Sequence, residues 1–278
     1  MSIRDLLHDA AGRMSAAGVE SARTDARILL AHAMGVTRED LIAATRQPTA
    51  DETALFETFV ARRAAREPVA YIRGRREFWS LELKVGPGVL VPRPETETLI
   101  EQALAALPDR TAALSIADLG TGSGALLVAA LREFPHARGT GFERSPEAFA
   151  YAEANLARHG LAARGRIVAA DWSEADGPFD LILSNPPYIP STDIEDLDPE
   201  VRLFEPRAAL DGGTDGLDAY RGLAGLLPRL LWPGGIALLE LGLGQAEQVE
   251  PLFQGLTVVR VAPDLAGISR VLVLKASK

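Results

Sequence analysis

The stretch LSIADLGTGSG, residues 114–124, decides the fold: an apolar strand that breaks into a glycine turn and opens a helix. Leu114, Ile116, Ala117 and Leu119 supply the strand, and the helical pattern continues through the apolar run Ala125 to Leu131. Glycines at 120, 122 and 124 let the chain turn tightly and bring backbone close to a ligand, and the helix amides that follow favour a polar or anionic group. Working outward, apolar runs from Gly139 to Phe142, Arg166 to Ala169, Phe179 to Leu183 and Ile236 to Leu241 alternate with helical patterns. That alternation predicts an α/β fold, a doubly wound, Rossmann-like parallel sheet with helices on both faces.

Upstream, the pattern changes. Ile3, Leu6, Leu7, Ala10, Ala11 and Met14 recur at helical spacing, with Gly18 as a stop. Ile28 to Leu30 belong to a second helix that Gly35 can end, Thr37 can cap a third, and Thr49 with Glu52 forms a capping box before Leu55, Phe56, Phe59 and Val60. These predict a small helical bundle, closed by Pro68. Leu81, Leu83 and Val85 then alternate with Glu82 and Lys84 as a half-buried strand of a linking hairpin, ended by Gly86-Pro87-Gly88.

Composition narrows the function classes. With 47% hydrophobic and 24% charged residues the chain has the makeup of an ordinary globular protein. Its apolar stretches are too short for a bilayer span, and the charged N-terminal segment does not resemble a signal peptide, so a cytoplasmic protein without a membrane partner is expected. The absence of cysteine excludes disulfides and thiolate sites, and the four scattered histidines lack ligand spacing, so no metal is expected. A net charge of -9 argues against a nucleic-acid partner held by its phosphates. The local run Arg62, Arg63, Arg66, Arg73, Arg75 and Arg76, with Glu67 the only acid among them, reads as a solvated helix face and hinge.

Glycine turns of this kind serve nucleotide, nicotinamide and S-adenosylmethionine sites alike. Two further positions favour an adenosine. Glu143 ends the second strand of the sheet, where a carboxylate can accept ribose hydroxyls, and Asp171-Trp172 ends the third, offering an acceptor and a flat ring for adenine. The predicted cofactor site is therefore Gly120, Thr121, Gly122, Ser123, Gly124, Glu143, Asp171 and Trp172, with Asn185 at its edge.

Asn185-Pro186-Pro187-Tyr188 follows the fourth strand of that sheet. Two prolines stiffen the backbone and remove two amide donors, leaving carbonyls and one fixed Asn side chain to accept hydrogen bonds. An amide nitrogen is a poor nucleophile. If Asn185 and the Pro186 carbonyl accept its two N–H bonds, it is held facing a methylsulfonium while its developing positive charge is stabilised. Tyr188 could pack on the planar group. Asn185, Pro186 and Tyr188 are the candidate catalytic residues, and Asn185 to Tyr188 the candidate substrate contacts.

This tetrapeptide resembles that of amino-methyltransferases acting on planar nitrogens. Glu77-Phe78-Trp79, Val89 to Glu97, Phe204-Glu205-Pro206 and Asp264 to Gly267 sharpen the resemblance to the peptide chain release factor N5-glutamine methyltransferase family, over nearly the whole chain. The resemblance implies a helical substrate-docking domain at residues 1–70, a linker hairpin at 71–92 and a methyltransferase domain at 93–278. It also implies S-adenosyl-L-methionine as cofactor and, as substrate, the Gly-Gly-Gln glutamine of class-I peptide chain release factors. A ribosomal-protein glutamine methyltransferase is the nearest alternative. A non-catalytic adaptor on the same fold is a second, which failure to bind S-adenosylmethionine would favour. A DNA adenine methyltransferase lacks support in so acidic a chain.

Overall fold

In a computed structural model, residues 2–43 and 46–277 are described. Helices α1 (Ile3–Ala16), α2 (Ala22–Met34), α3 (Arg38–Ala43), α4 (Ala50–Ala64) and α5 (Val69–Arg73) come first, then strands β1 (Arg75–Phe78) and β2 (Leu81–Lys84). Next are α6 (Glu97–Ala106), β3 (Ser115–Leu119), α7 (Ala125–Glu133), β4 (Arg138–Glu143), α8 (Pro146–Arg158), β5 (Gly165–Ala169) and β6 (Phe179–Ser184). The chain ends with α9 (Pro199–Phe204), α10 (Asp218–Leu230), β7 (Leu231–Glu240), α11 (Ala246–Val249), β8 (Thr257–Pro263) and β9 (Ser269–Lys275). No helix among the described residues is long and apolar enough to cross a membrane.

The chain divides into two compact units, Met1–Arg75 with Asp198–Phe204, and Arg76–Leu197 with Glu205–Lys278. The first unit is discontinuous in sequence, since it takes α9 from far downstream. Its core joins Leu6, Ala10 and Met14 of α1 to Leu29 and Leu30 of α2 and to Phe56 and Val60 of α4. The caps lie where local chemistry puts them: Ser2 and Thr49 form capping boxes, and Gly35 ends α2 in the left-handed region. Pro68 does not close the unit. It caps α5, because its fixed φ and missing N–H suit a helix start as well as a helix stop.

The arginine run also departs from a solvated face. Arg63 is buried, its Nε donating to Asp25 (2.8 Å) and its Nη2 to Glu200 of α9 (2.7 Å), and Arg66 donates to Glu200 and to the Gly18 carbonyl. A guanidinium is favoured at such a place because its fork satisfies two carboxylates at once. Arg62, which pairs with Glu67, is the most exposed arginine of this helix end, at 38%.

The second unit is built on a seven-stranded sheet in the order β5-β4-β3-β6-β7-β9-β8, beside the β1-β2 hairpin. From β5 to β7 the pairs are parallel. At the far edge the all-parallel expectation fails: β9 runs antiparallel to β7, and β8 antiparallel to β9. Only a short turn at Asp264–Ile268 separates β8 from β9, too short for the crossover that a parallel neighbour requires. Side chains alternate between two cores. Ile116, Leu181, Leu183, Leu238 and Val273 pack with α6 and α7, while Ala117, Ile182, Leu239, Leu272 and Leu274 pack with α10. Strand order reverses direction between β3 and β6, so the loops after these two strands flank the switch point where doubly wound sheets hold ligands.

Candidate active site

A cleft opens to solvent at that switch point, about 1030 Å³ with the open space at its mouth included. Gly120 to Ser123, Glu143, Asp171, Trp172, Asn185 and Pro187 line it, together with Gly88 to Leu90, Arg93, Thr96, Pro206, Ala208 and Ala209. Its lining is mixed apolar and polar, as small-molecule sites are.

The glycine turn is held from below. Asp118, fully buried at the end of β3, accepts the Thr121 hydroxyl (2.5 Å) and the Leu127 amide (3.2 Å). Burial pushes its carboxyl up to about 7, against the pull of those two hydrogen bonds. Gly120 turns at φ 73°, and a Cβ built on it would stand 3.0 Å from the Trp172 ring. The Trp172 ring therefore lies directly over bare backbone, a cradle that any side chain would fill.

Glu143, at the end of β4, accepts the Gly122 amide on Oε2 (2.9 Å) and the Ser145 amide on Oε1 (2.8 Å). A carboxylate oxygen has two lone pairs, so each keeps one for an incoming hydroxyl pair. Asp171 is more committed. Its Oδ1 accepts both the amide (2.9 Å) and the hydroxyl (2.6 Å) of Ser173, and its Oδ2 lies 3.5 Å from Arg144. The Ser173 hydroxyl bond is the main reason its carboxyl sits below the usual range.

Asn185 follows β6, whose last residue, Ser184, donates its hydroxyl to the Leu119 carbonyl (2.7 Å) and so ties the two loops together. The Asn185 Nδ2 donates to the Thr96 hydroxyl oxygen (3.2 Å), leaving Oδ1 for the cleft. Of the tetrapeptide, Asn185 and Pro187 reach the cleft lining; Pro186 is buried, and Tyr188 is half-buried with its hydroxyl donating to Glu240 (3.3 Å). The Tyr188 carbonyl accepts the Gln245 Nε2 (2.9 Å). Burial and the nearby Glu240 carboxylate raise the phenol's pKa well above its ordinary value, so Tyr188 stays protonated.

Several participants escaped the sequence reading of site residues. Glu205 is buried and accepts the Val91 amide (3.2 Å) and Arg93 (2.7 Å), clamping the Val89–Glu97 segment along the cleft. Burial raises its carboxyl pKa, with Arg93 opposing the rise. Thr96 accepts from Asn185, and Glu240 accepts from Tyr188. Glu205 and Thr96 lie in the quoted segments 204–206 and 89–97, but Glu240 is hidden inside a strand pattern that gives no sign of its partners. Among the described residues, no cluster of His, Asp and Glu could hold a metal ion.

A cleft over a glycine turn at the switch point of a doubly wound sheet is the place for a nucleoside cofactor, and a match to the methyltransferase small domain makes the chain an S-adenosylmethionine-dependent methyltransferase. Comparisons with known proteins carry this further. Residues 5–74 match the model of the PrmC N-terminal domain, and residues 96–200 that of the methyltransferase small domain. The chain is 46% identical to the release factor glutamine methyltransferase of Caulobacter vibrioides, over 93% of this chain and 91% of that one. It is also 46% identical to that of Geobacter sulfurreducens, covering 97% and 95%. In fold it is similar to a methyltransferase from Pyrococcus furiosus, with a TM-score of 0.50 and 20% identity over 71% of this chain and 90% of the other. The chain belongs to the release factor glutamine methyltransferase family.

Proposed function

We propose that this protein transfers a methyl group from S-adenosylmethionine to the side-chain amide nitrogen of the Gly-Gly-Gln glutamine in class-I peptide chain release factors, in the cytoplasm. The observation that carries the reading is the free Oδ1 of Asn185 at a cleft continuous with the glycine turn. When bound, S-adenosylmethionine supplies an electrophilic methyl on a sulfonium.

The chain's own groups divide the rest of the work. Gly120 to Gly124, Glu143 and Trp172 fit an adenosine with its ribose and polar tail: bare backbone, a carboxylate with two free lone pairs, and a ring. Asp171 contributes wall and charge at the same end. Asn185 Oδ1 and the Pro186 carbonyl accept the two N–H bonds of the substrate amide, turning its lone pair toward the methyl. These acceptors gain strength as the nitrogen becomes positive, which lowers the barrier selectively. Pro187 and Tyr188 keep the loop rigid, Tyr188 through Glu240 and Gln245. The α1–α5 unit serves as the docking domain for the release factor.

Transfer of a labelled methyl group to a purified class-I release factor tests the whole reading, beside a control factor whose Gly-Gly-Gln glutamine is alanine. Label on the first alone is expected. Label on both, or on neither while S-adenosylmethionine still binds, overturns the substrate assignment. For the cofactor half, Glu143→Ala is expected to weaken S-adenosylmethionine binding by about 10- to 100-fold, the loss of a charge-assisted bond pair worth about 1.5–3 kcal/mol. Calorimetric titration checks it; unchanged affinity would remove Glu143 from the ribose.

A further inference from the structure

We infer that α8 gauges the cofactor cleft through Asn155, a positioning residue that holds the glycine turn and the cleft wall at residues 88–90 at one spacing and so sets the affinity for S-adenosylmethionine. The inference rests on the reading of the glycine turn as the cofactor's cradle. What keeps that cradle at the right width is a part that the site residues do not supply themselves.

Asn155 is wholly buried, and both ends of its side-chain amide meet backbone. Its Nδ2 donates to the Ser123 carbonyl in the glycine turn (2.8 Å) and to the Lys84 carbonyl at the end of β2 (3.0 Å), while its Oδ1 accepts the Lys84 amide (2.7 Å). The amide stands one way round, because turning it over would set its NH₂ against the Lys84 N–H. The peptide group that follows Ser123 is pinned at its other edge as well, where the Gly124 amide donates to the Thr121 carbonyl (2.8 Å). Both anchors lead into the cleft. Ser123 lines it from the glycine turn, and just beyond Lys84 the chain lines it with Gly88, Val89 and Leu90.

The helix is built as a spacer between these two walls. Glu147, Tyr151 and Asn155 recur every fourth residue and so share one face of α8. They meet the segment after β2 in turn: Asn155 holds Lys84, a Cβ on Gly86 would run into the Tyr151 hydroxyl, and one on Gly88 would stand 2.7 Å from the Glu147 Cβ. The neighbouring positions of the helix meet the other wall. Ala148 lines the cleft, and a Cβ on Gly124 would stand 3.2 Å from the Ala152 Cα. The start of the helix is tied to the site too, since its cap, Ser145, donates its amide to Glu143 (2.8 Å). Bare backbone thus lets both walls close on α8, and Asn155 locks the distance. An apolar side chain could fill the same place, as the buried Ala152 and Leu156 beside it do, but apolar contact has no direction. Hydrogen bonds do, and three of them on one planar amide hold two stretches of backbone at set lengths. Without that amide the walls sample other spacings, and only the fraction of molecules at the right one binds.

The test is calorimetric titration of the full chain with S-adenosylmethionine, in wild type, Asn155→Asp, Asn155→Ser and Gly88→Ala. Asn155→Asp keeps the shape and the acceptor and loses the amide donors, whereas Gly88→Ala leaves Asn155 in place and pushes the wall off Glu147. Each should raise Kd by about tenfold with unchanged stoichiometry, the result when about a tenth of the molecules hold the binding-competent spacing. S-adenosylhomocysteine, which lacks the transferred methyl, should lose the same factor, because the walls hold the rest of the molecule. Gly160→Ala, at φ 69° with open space around it, carries the same left-handed strain as Gly88→Ala without touching a wall, and it should bind as wild type does.

A merely structural role has another signature: the binding-active fraction falls while the folded molecules keep the wild-type Kd, and that result would overturn the inference. So would wild-type affinity in Asn155→Asp or in Gly88→Ala, the latter deciding alone if neither Asn155 variant folds. Glu143→Ala separates the two levels of reading. Weakened binding there beside wild-type binding in the Asn155 and Gly88 variants sinks the positioning role alone; wild-type binding in all of them sinks the cradle reading on which that role rests. The release factor takes no part in these titrations, so their failure leaves the substrate assignment standing.

Discussion

Asn185→Ala is expected to lower kcat by about 10²- to 10³-fold while leaving S-adenosylmethionine affinity within about threefold. The size follows from what the side chain does. Its Oδ1 is one of two acceptors proposed for the substrate amide, and an acceptor of this kind matters most when the nitrogen carries positive charge, which is in the transition state and not in the bound ground state. Two contacts of the glycine turn do not run through it: Glu143 accepts the Gly122 amide and Trp172 lies over Gly120, both without Asn185. Single-turnover methyl transfer, with cofactor binding measured in parallel, checks the split. A parallel loss of cofactor binding and rate would assign Asn185 to the donor instead.

Arg63→Met should loosen the first unit by about 3–5 kcal/mol. The substitution keeps most of the apolar stem and removes the guanidinium from between Asp25 and Glu200, whose side chains are 8% and 21% exposed. Asp25 retains only the Ser21 hydroxyl (2.7 Å), while Glu200 keeps Arg66. An uncompensated buried carboxylate is what makes a broken internal pair so much worse than a lost surface one, where about 0–1 kcal/mol is usual. Amide exchange in α2 and α4 reads the effect directly. Opening should become roughly a hundred to a few thousand times more frequent, at about 1.4 kcal/mol per factor of ten. An acceleration below about fivefold would mean that Arg63 behaves as a surface arginine.

These two residues mark how far the sequence could be read. Asn185 stands in a tetrapeptide whose stiffness and place after a strand are local properties, so its exposure at a strand end could be foreseen. The glycine turn and Glu143 are legible for the same reason. Arg63 is not, because its partner Glu200 lies 137 residues away, and a run of arginines on a helix looks the same whether it faces water or a buried acid. Glu240 is silent on the same grounds, for a strand pattern cannot say that its last residue accepts the Tyr188 hydroxyl from 52 residues away. The reversed edge of the sheet escaped because β8 and β9 carry Arg260 and Arg270 among their apolar residues, and strand direction is set by connection length more than by composition. Asp171 shows a subtler limit: its position was foreseen at the cleft, but not that Ser173 already occupies half of its carboxylate.

The chain crosses between its two compact units at residues 75/76, 197/198 and 204/205. A helical module joined by a single crossing can be exchanged among enzymes as a cassette, by cutting one linker. Here the cassette has no such seam: excising residues 1–75 would strand the arginines that Glu200 neutralises, and would leave behind the Asp198–Phe204 segment that belongs to the same compact unit. The helical module and that segment must therefore be inherited together.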